Sequence, residues 1–278
     1  MKGFKIIVCV VISLLSFELL AENSKNNPIY FTAPPRESTE KGIKTYQPIA
    51  DFLTKNLNRK VIYKHPENWA LYRRDMTQNK LDIVFDGPHF VSWRQKQFAH
   101  VPVAMLPQPH VWVIVKRKGN KKIASLKSIE GKLFCGQQYP NFGSLTAMTH
   151  FKTTREPSLI PLKGWKNVYK GVVSGKCVAG VLPITNLKKF DPKNKFIEIV
   201  HVHPAFPNQG FTVNNKYSPL LISKIQKLLL SKEGQTATKK LRERYSKGEF
   251  LIKPKINEYR KVSVVLNELY GFGFTFKD

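Results

Sequence analysis

Histidine and cysteine side chains offer the most potential for catalysis or metal binding in this chain. His201 and His203 are two positions apart, so a β-strand would place both rings on one face. No cysteine or carboxylate stands at a spacing that would complete a zinc or copper site with this pair. The pair therefore predicts partly exposed imidazoles on a strand, and neither a metal nor a cofactor is expected.

Nucleophilic catalysis has little support in the sequence. The chain has no Gly-x-Ser-x-Gly turn and no Walker-type phosphate loop. Cys135 and Cys177 fall in predicted strands, where a buried thiol is inert because no base activates it. An exported chain could join these two cysteines in a disulfide, but two separately buried thiols fit the sequence equally well. No enzymatic activity is predicted, and the disulfide is left open.

The first 21 residues predict a secretory signal peptide. Two lysines precede an apolar run from Ile6 to Leu20, and the small residue Ala21 follows. The run contains polar residues and is shorter than the roughly 20 apolar residues that span a bilayer. We expect cleavage near Ala21 and a mature protein in the periplasm.

The chain is strongly basic, with 46 lysines and arginines against 19 acidic residues and a formal net charge of +27. Such a charge attracts anions, nucleic acids and acidic surfaces. The basic residues are scattered, however, and no nucleic-acid-binding motif accompanies them. A solvated basic surface with no nucleic-acid partner is predicted. A basic protein that binds anionic polymers stays as an alternative.

Strand and helix patterns alternate along the chain, which predicts an α/β fold with mainly parallel sheets flanked by helices. The predicted strands are at 29–32, 60–63, 81–85, 110–115, 132–135, 158–162, 177–182, 197–202 and 210–213. The predicted helices are at about 46–57, 69–78, 165–174, 219–230, 233–245 and 257–269, with one more starting near 144.

These elements predict two lobes joined by a hinge. Residues 28–115 and 204–278 would form lobe one, and residues 116–203 would form lobe two. Two lobes that close on a ligand are a common hinge design. Loops at the carboxyl ends of parallel strands line the ligand site, which directs attention to 34–38 and 86–90.

Charged and imidazole groups of these loops are candidates for ligand contact. Arg36 could bind a carboxylate or phosphate, and Asp86 could bind a cation. His89 and His110 also fall near the predicted cleft. Glu37 is interpreted as a surface charge.

Three stretches match the phrases of one known family in order and spacing. Residues 46–53 read Tyr-Gln-Pro-Ile-Ala-Asp-Phe-Leu, and residues 80–88 read Lys-Leu-Asp-Ile-Val-Phe-Asp-Gly-Pro. Residues 126–133, which end in Ile-Glu-Gly-Lys-Leu, match the segment that leads into the second lobe. The chain thus resembles the phosphonate/phosphite type of periplasmic solute-binding protein. The resemblance implies a type II periplasmic-binding fold with its ligand cleft at the hinge.

The family holds a tetrahedral oxyanion with a Ser-Thr-Ser-Gly turn at a helix start, where hydroxyls and backbone N–H groups point at the ligand. At this place the chain carries Asn141 and Phe142, and only Ser144, with Asn141 and Thr146, keeps suitable chemistry. The turn therefore departs from the family pattern.

Other expected polar groups are also replaced. Trp165 stands where the family has a histidine, Trp69 where it has a tyrosine, and Thr185 and Phe206 where it has carboxylates. Aromatic faces offer stacking and cation–π contacts instead of anion capture. A small organic ligand with an aromatic, apolar or cationic part is predicted, and a phosphonate or phosphate ligand is the alternative.

The resemblance implies a monomeric solute-binding protein that delivers its ligand to an ABC permease. A sensing module for a membrane receptor protein would use the same fold and stays as an alternative. The predicted ligand-binding residues are Arg36, Trp69, Asp86, His89, Phe90, His110, Asn141, Phe142, Ser144, Trp165, Thr185 and Phe206.

Overall fold

The structure, a computed structural model, describes residues 27–267. The predicted signal peptide at 1–21 lies outside the described residues. Contacts between Cα atoms divide the described chain into two compact units, and each is assembled from separate segments. The first unit holds residues 27–85, 98–106 and 211–253, and the second holds residues 86–97, 107–210 and 254–267.

Strands and helices alternate through most of the chain. The strands are β1 (Ile29–Thr32), β2 (Val61–Tyr63), β3 (Ile83–Asp86), β4 (Val101–Met105), β5 (Trp112–Arg117), β6 (Leu133–Gly136), β7 (Ser158–Pro161), β8 (Ala179–Pro183), β9 (Ile197–Val202) and β10 (Gly210–Val213). The helices are α1 (Thr39–Leu57), α2 (Trp69–Thr77), α3 (Pro88–Phe98), α4 (Phe142–Met148), α5 (Trp165–Val173), α6 (Ile184–Phe190), α7 (Pro219–Leu230), α8 (Lys232–Ala237), α9 (Lys239–Ser246) and α10 (Val264–Asn267).

The first sheet has the strand order β2-β1-β3-β10-β4, and β1 is parallel to both of its neighbours. Helix α1 covers this sheet because its apolar residues recur at helical spacing, and Tyr46, Ile49, Leu53 and Leu57 are all buried. The ring of Phe31 lies 6.0 Å from that of Tyr46 in an edge-on contact. The face predicted for this helix is confirmed.

The second sheet has the order β7-β6-β8-β5-β9 and is mixed. Strand β6 is parallel to β7 and β8, whereas β5 runs antiparallel to both β8 and β9. Cys135 of β6 is joined by a disulfide to Cys177, which comes just before β8. The sequence did not decide between a disulfide and two separate thiols, and the structure contains the disulfide.

Two α-helices and one strand were not predicted from the sequence. Residues 86–90 were expected to be a loop, but α3 begins at Pro88, and β4 follows it. Residues 88–94 of this helix are all buried, so it shows none of the apolar–polar periodicity that identifies a surface helix. Helix α6 was also not predicted.

The C-terminal helix prediction at 257–269 is wrong over most of its described length. Residues 256–263 form turns, and only Val264–Asn267 is helical. Asn257 and Lys261 have φ angles of 68° and 67°, which a right-handed helix does not contain. The helix predicted at 233–245 is divided into α8 and α9 at Thr238.

In the part of the chain that the structure describes, no helix is both long and apolar enough to cross a membrane.

Candidate functional site

Seven rings of the second unit contact one another in a continuous series, which we call the aromatic cluster. Its members are Phe90, His89, Phe142, Phe206, Trp112, His110 and Trp165. The ring of His89 stacks on those of Phe90 and Phe142, with centroid distances of 4.1 and 5.0 Å. The structure therefore brings together six of the twelve residues predicted to bind ligand.

Trp112 is the link that the sequence prediction missed. Its centroid lies 6.2 Å from Phe142, 5.8 Å from His110 and 5.3 Å from Trp165. It is the first residue of β5 and stands in an apolar run, so its type and position predicted only a strand residue. No local signal in the sequence distinguishes it from the other apolar residues of this strand.

Backbone geometry fixes the rings around this tryptophan. The main chains of His110 and Phe206 form an isolated antiparallel bridge with two N–H···O bonds of 2.8 Å. Gly143, the second residue of α4, allows the indole of Trp112 to pack on the helix. A Cβ atom at Gly143 would lie 2.4 Å from this ring, so no larger residue fits without displacement.

The aromatic cluster has a buried base and a partly exposed edge. Phe142 and Trp112 are 5% and 4% exposed, whereas His110, Trp165 and Phe206 are half-buried. The Nε1 atom of Trp112 is buried and has no hydrogen-bond partner within residues 27–267. The partly exposed edge can therefore offer a flat apolar surface to a ligand.

The turn that would hold an oxyanion is occupied by its own side chains. Asn141 Oδ1 accepts hydrogen bonds from the backbone N–H groups of Gly143 and Ser144, at 3.0 and 3.3 Å. The Ser144 hydroxyl is buried and donates to the carbonyl oxygen of Gln137 at 2.6 Å. Only the buried hydroxyl of Thr146 in this helix lacks a hydrogen-bond partner in the described chain.

Asp86 is paired within the protein. Its Oδ2 atom lies 3.0 Å from Arg94 Nη2, and Oδ1 accepts from the backbone N–H of Gly87 at 3.0 Å. Both side chains of the ion pair are almost completely buried. The carboxylate thus neutralises an arginine within the protein, and its contact with a ligand cation stays a prediction.

Two predicted residues belong to the first unit. The guanidinium of Arg36 lies over the ring of Tyr245 at 5.7 Å, and half-buried Trp69 makes an edge-on contact with Tyr72 at 6.0 Å. The interpretation of Glu37 as a surface charge is wrong, because its side chain is 1% exposed and pairs with Arg244 at 3.1 Å. Thr185 of the second unit is exposed on α6.

A second group of side chains in the second unit consists of three histidines. His150, in the turn after α4, joins His201 and His203 near the end of β9, and one ligand atom of each ring lies within 4.8 Å of the others. Burial, then the neighbouring rings of His150 and His201, lower the pKa of His203 to about 3. Burial and His201 also lower the pKa of His150. Burial thus favours the neutral forms of His150 and His203.

Comparison with known proteins gives a family and a fold. The sequence profile of the periplasmic substrate-binding proteins of ABC phosphonate transporters matches residues 31–252. No curated protein matches the chain in a sequence search.

Three solved structures illustrate the fold likeness. PhnD1 from Prochlorococcus marinus in complex with methylphosphonate has a TM-score of 0.61 at 16% identity, covering 87% of this chain and 98% of its own. A Xanthomonas citri protein bound to ATP has a TM-score of 0.67 at 12% identity, with coverages of 86% and 97%. A binding-protein component of a phosphonate ABC transporter from Pseudomonas aeruginosa has a TM-score of 0.57 at 12% identity, with coverages of 84% and 83%. The predicted type II periplasmic-binding fold is confirmed, with mixed sheets.

Proposed function

The chain belongs to the family of periplasmic substrate-binding proteins of ABC phosphonate transporters, and from this premise we propose that its own ligand is a small organic molecule with an aromatic, apolar or cationic part. Proteins of this family are periplasmic, bind small molecules and deliver them to an ABC permease; the family is a transport family, not one of enzymes. The proposal concerns which molecule is captured.

The half-buried edge of the aromatic cluster is the observation that carries the proposal. Trp165, His110 and Phe206 stand on a base of Trp112 and Phe142, and a flat ligand can stack on such an edge. An aromatic pair contributes about 0.5–1.5 kcal/mol beyond its buried area, and a desolvated cation over a tryptophan about 2 kcal/mol. Micromolar affinity corresponds to about −8.2 kcal/mol, so these contacts supply part of the binding free energy and burial of apolar ligand surface must supply the rest.

The hydrogen bonding at the start of α4 supports the same conclusion. A phosphonate bound as in the family would need the N–H groups of Gly143 and Ser144, which already donate to Asn141. It would also need the Ser144 hydroxyl, which already donates to Gln137. Displacing these partners would cost part of the binding energy, because each acceptor would then lose its hydrogen bond.

A phosphonate or phosphate is the second candidate ligand. The family assignment favours it, and so does the buried hydroxyl of Thr146, which has no hydrogen-bond partner in the described residues. Delivery to a membrane sensor, in place of a permease, is compatible with either ligand.

A thermal-shift screen of residues 22–278, followed by titration calorimetry, tests the proposal. The panel contains phosphonates, phosphate, betaine-like cations, nucleosides and aromatic metabolites. A ligand at 100 times its Kd adds about 2.7 kcal/mol to the free energy of unfolding. We expect a rise in Tm with a cationic or aromatic compound and none with methylphosphonate.

Two variants locate the site. Trp165→Ala should abolish binding of the compound found in the screen, with the fold retained because this ring is only half-buried. Phe196→Ala is the matched control, since it removes an exposed aromatic ring of the same unit outside the cluster. A phosphonate as the sole stabilising compound, or unchanged affinity in Trp165→Ala, contradicts the proposal.

A further inference from the structure

The three histidines of the second unit come from two separate parts of the chain. His201 and His203 project from one face near the end of β9, and Val202 between them is 50% exposed on the other face. His150 approaches from the turn after α4, and its Nε2 atom lies 3.1 Å from Nδ1 of His203. The ring centroids are 4.4, 4.6 and 4.9 Å apart.

The ring nitrogens of this group have few other partners. His203 is 3% exposed, and its Nε2 atom is buried without a hydrogen bond to any described residue. Nε2 of His201 is buried in the same way. A buried imidazole nitrogen without a partner is costly, so a metal ion that accepts the lone pair of His201 Nε2 would stabilise the site. His203 would ligate through Nδ1, the atom that faces His150.

We propose that His150, His201 and His203 form a binding site for a divalent transition-metal ion of the Zn²⁺ class, with one further coordination position open to water. Three imidazoles and a water are a common ligand set for Zn²⁺. At a Zn–N distance of about 2.0–2.1 Å, tetrahedral geometry places the nitrogens about 3.3 Å apart. The pair from His150 and His203 is already at 3.1 Å, and rotation of the half-buried His201 ring closes the set.

The donor atoms of the three histidines determine which metal ions can bind. The three candidate ligands are imidazole nitrogen donors, which suit Zn²⁺, Cu²⁺ and Ni²⁺, whereas Mg²⁺ and Ca²⁺ require oxygen ligands. His150 is exposed, so an ion can reach the site from solvent without unfolding the unit.

A metal here would connect the two elements that carry the base of the aromatic cluster. His150 follows the helix that begins with Phe142, and the backbone N–H of His203 donates to the carbonyl oxygen of Trp112 at 2.9 Å. The ion would therefore fix α4 relative to β5 and β9. This role does not depend on the identity of the organic ligand.

Zinc binding can be measured on residues 22–278 prepared without a histidine tag, which would bind the same ions. Equilibrium dialysis against ZnCl₂ with elemental analysis should give one Zn²⁺ per chain, and excess MgCl₂ should not compete. His150→Ala, His201→Ala and His203→Ala should each weaken Zn²⁺ binding at least 10- to 100-fold, the loss typical when even an outer-shell partner is removed. X-ray absorption should show imidazole nitrogens at about 2.0–2.1 Å.

The control is His65→Ala, which removes an imidazole of the first unit that is hydrogen-bonded to Tyr63. It should leave Zn²⁺ affinity unchanged. His150→Ala changes an exposed residue and should keep the fold, checked by circular dichroism, so weaker binding in this variant reports on ligation. Absence of stoichiometric Zn²⁺, or binding that persists in all three cluster variants, overturns the proposal. Neither result bears on organic-ligand binding, which the calorimetric titration measures separately.

Discussion

Arg94 Nη2 lies 3.0 Å from Asp86 Oδ2, and the two side chains are 1% and 0% exposed. The pair joins the end of β3 to α3, the helix that carries His89 and Phe90 of the aromatic cluster. A buried ion pair is weak evidence of net stabilisation, but each member depends on the other because an isolated buried charge is costly.

Arg94→Met should therefore reduce the free energy of unfolding by about 3–5 kcal/mol, because it removes the cation that lies 3.0 Å from the buried Asp86 carboxylate. Urea denaturation measures this loss. The double variant Asp86→Leu with Arg94→Met should recover most of it. Equal losses in the single and double variants would show that the charge balance is unimportant.

The disulfide between Cys135 and Cys177 closes a loop with a sequence separation of 42 residues. The loop-entropy relation predicts that its removal lowers the free energy of unfolding by about 4 kcal/mol. Cys135→Ala with Cys177→Ala should show this loss in urea. A reductant should destabilise the unaltered protein by a similar amount and leave the double variant unchanged; a reductant-insensitive protein would contradict the bond.

Gly143→Ala tests the contact between α4 and Trp112. Alanine in a helix ordinarily stabilises a protein by about 0.5–1 kcal/mol relative to glycine. Here the added Cβ would lie 2.4 Å from the indole ring, so the sign should reverse, with a loss of about 1–3 kcal/mol from overpacking. The intrinsic fluorescence of tryptophan should change as well. A stabilised variant with unchanged fluorescence would show that the helix and ring can separate freely.

Asp191 makes stability depend on pH. Burial alone would raise the pKa of this carboxyl, but hydrogen bonds from the N–H groups of Phe196, Lys195 and Ile197 outweigh it and hold the pKa below 3.8. The ionised form is thus favoured in the folded state. Its contribution is complete above pH 3.8 and is lost as the pH falls through the folded-state pKa.

Asp191→Asn should accordingly be less stable than the unaltered protein at neutral pH, by about 1–3 kcal/mol. The difference in unfolding free energy should be constant from neutral pH to about pH 5 and should shrink below pH 3.8. Urea curves at a series of pH values measure it. A difference that is independent of pH down to pH 2 would rule out this role for the carboxylate.

Local pattern was sufficient to predict most of the strands and the amphipathic helices. Residues 197–202, 210–213 and 219–230 have the boundaries expected from their apolar runs and proline. Helix α3 was missed because its buried stretch has no polar face, and the C-terminal turns were missed because φ angles at Asn257 and Lys261 are not readable from periodicity.

The candidate site was predictable only in part. Three aromatic residues could be selected because they replace polar residues of the family that the chain resembles: Phe142, Trp165 and Phe206. The structure places all three in one cluster. Trp112 and His150 could not be selected from the sequence, because their roles come from contacts over long sequence separations. His150 lies 53 residues from its partner His203, and nothing in the spacing of the histidines indicates the approach.

The carboxamide oxygen of Asn141 accepts the two N–H hydrogen bonds that the start of α4 would otherwise offer to a bound anion. Because Asn141 is part of the same chain, its oxygen is always close to these N–H groups. An anion that binds to these N–H groups would therefore have to displace an acceptor that is already part of the chain.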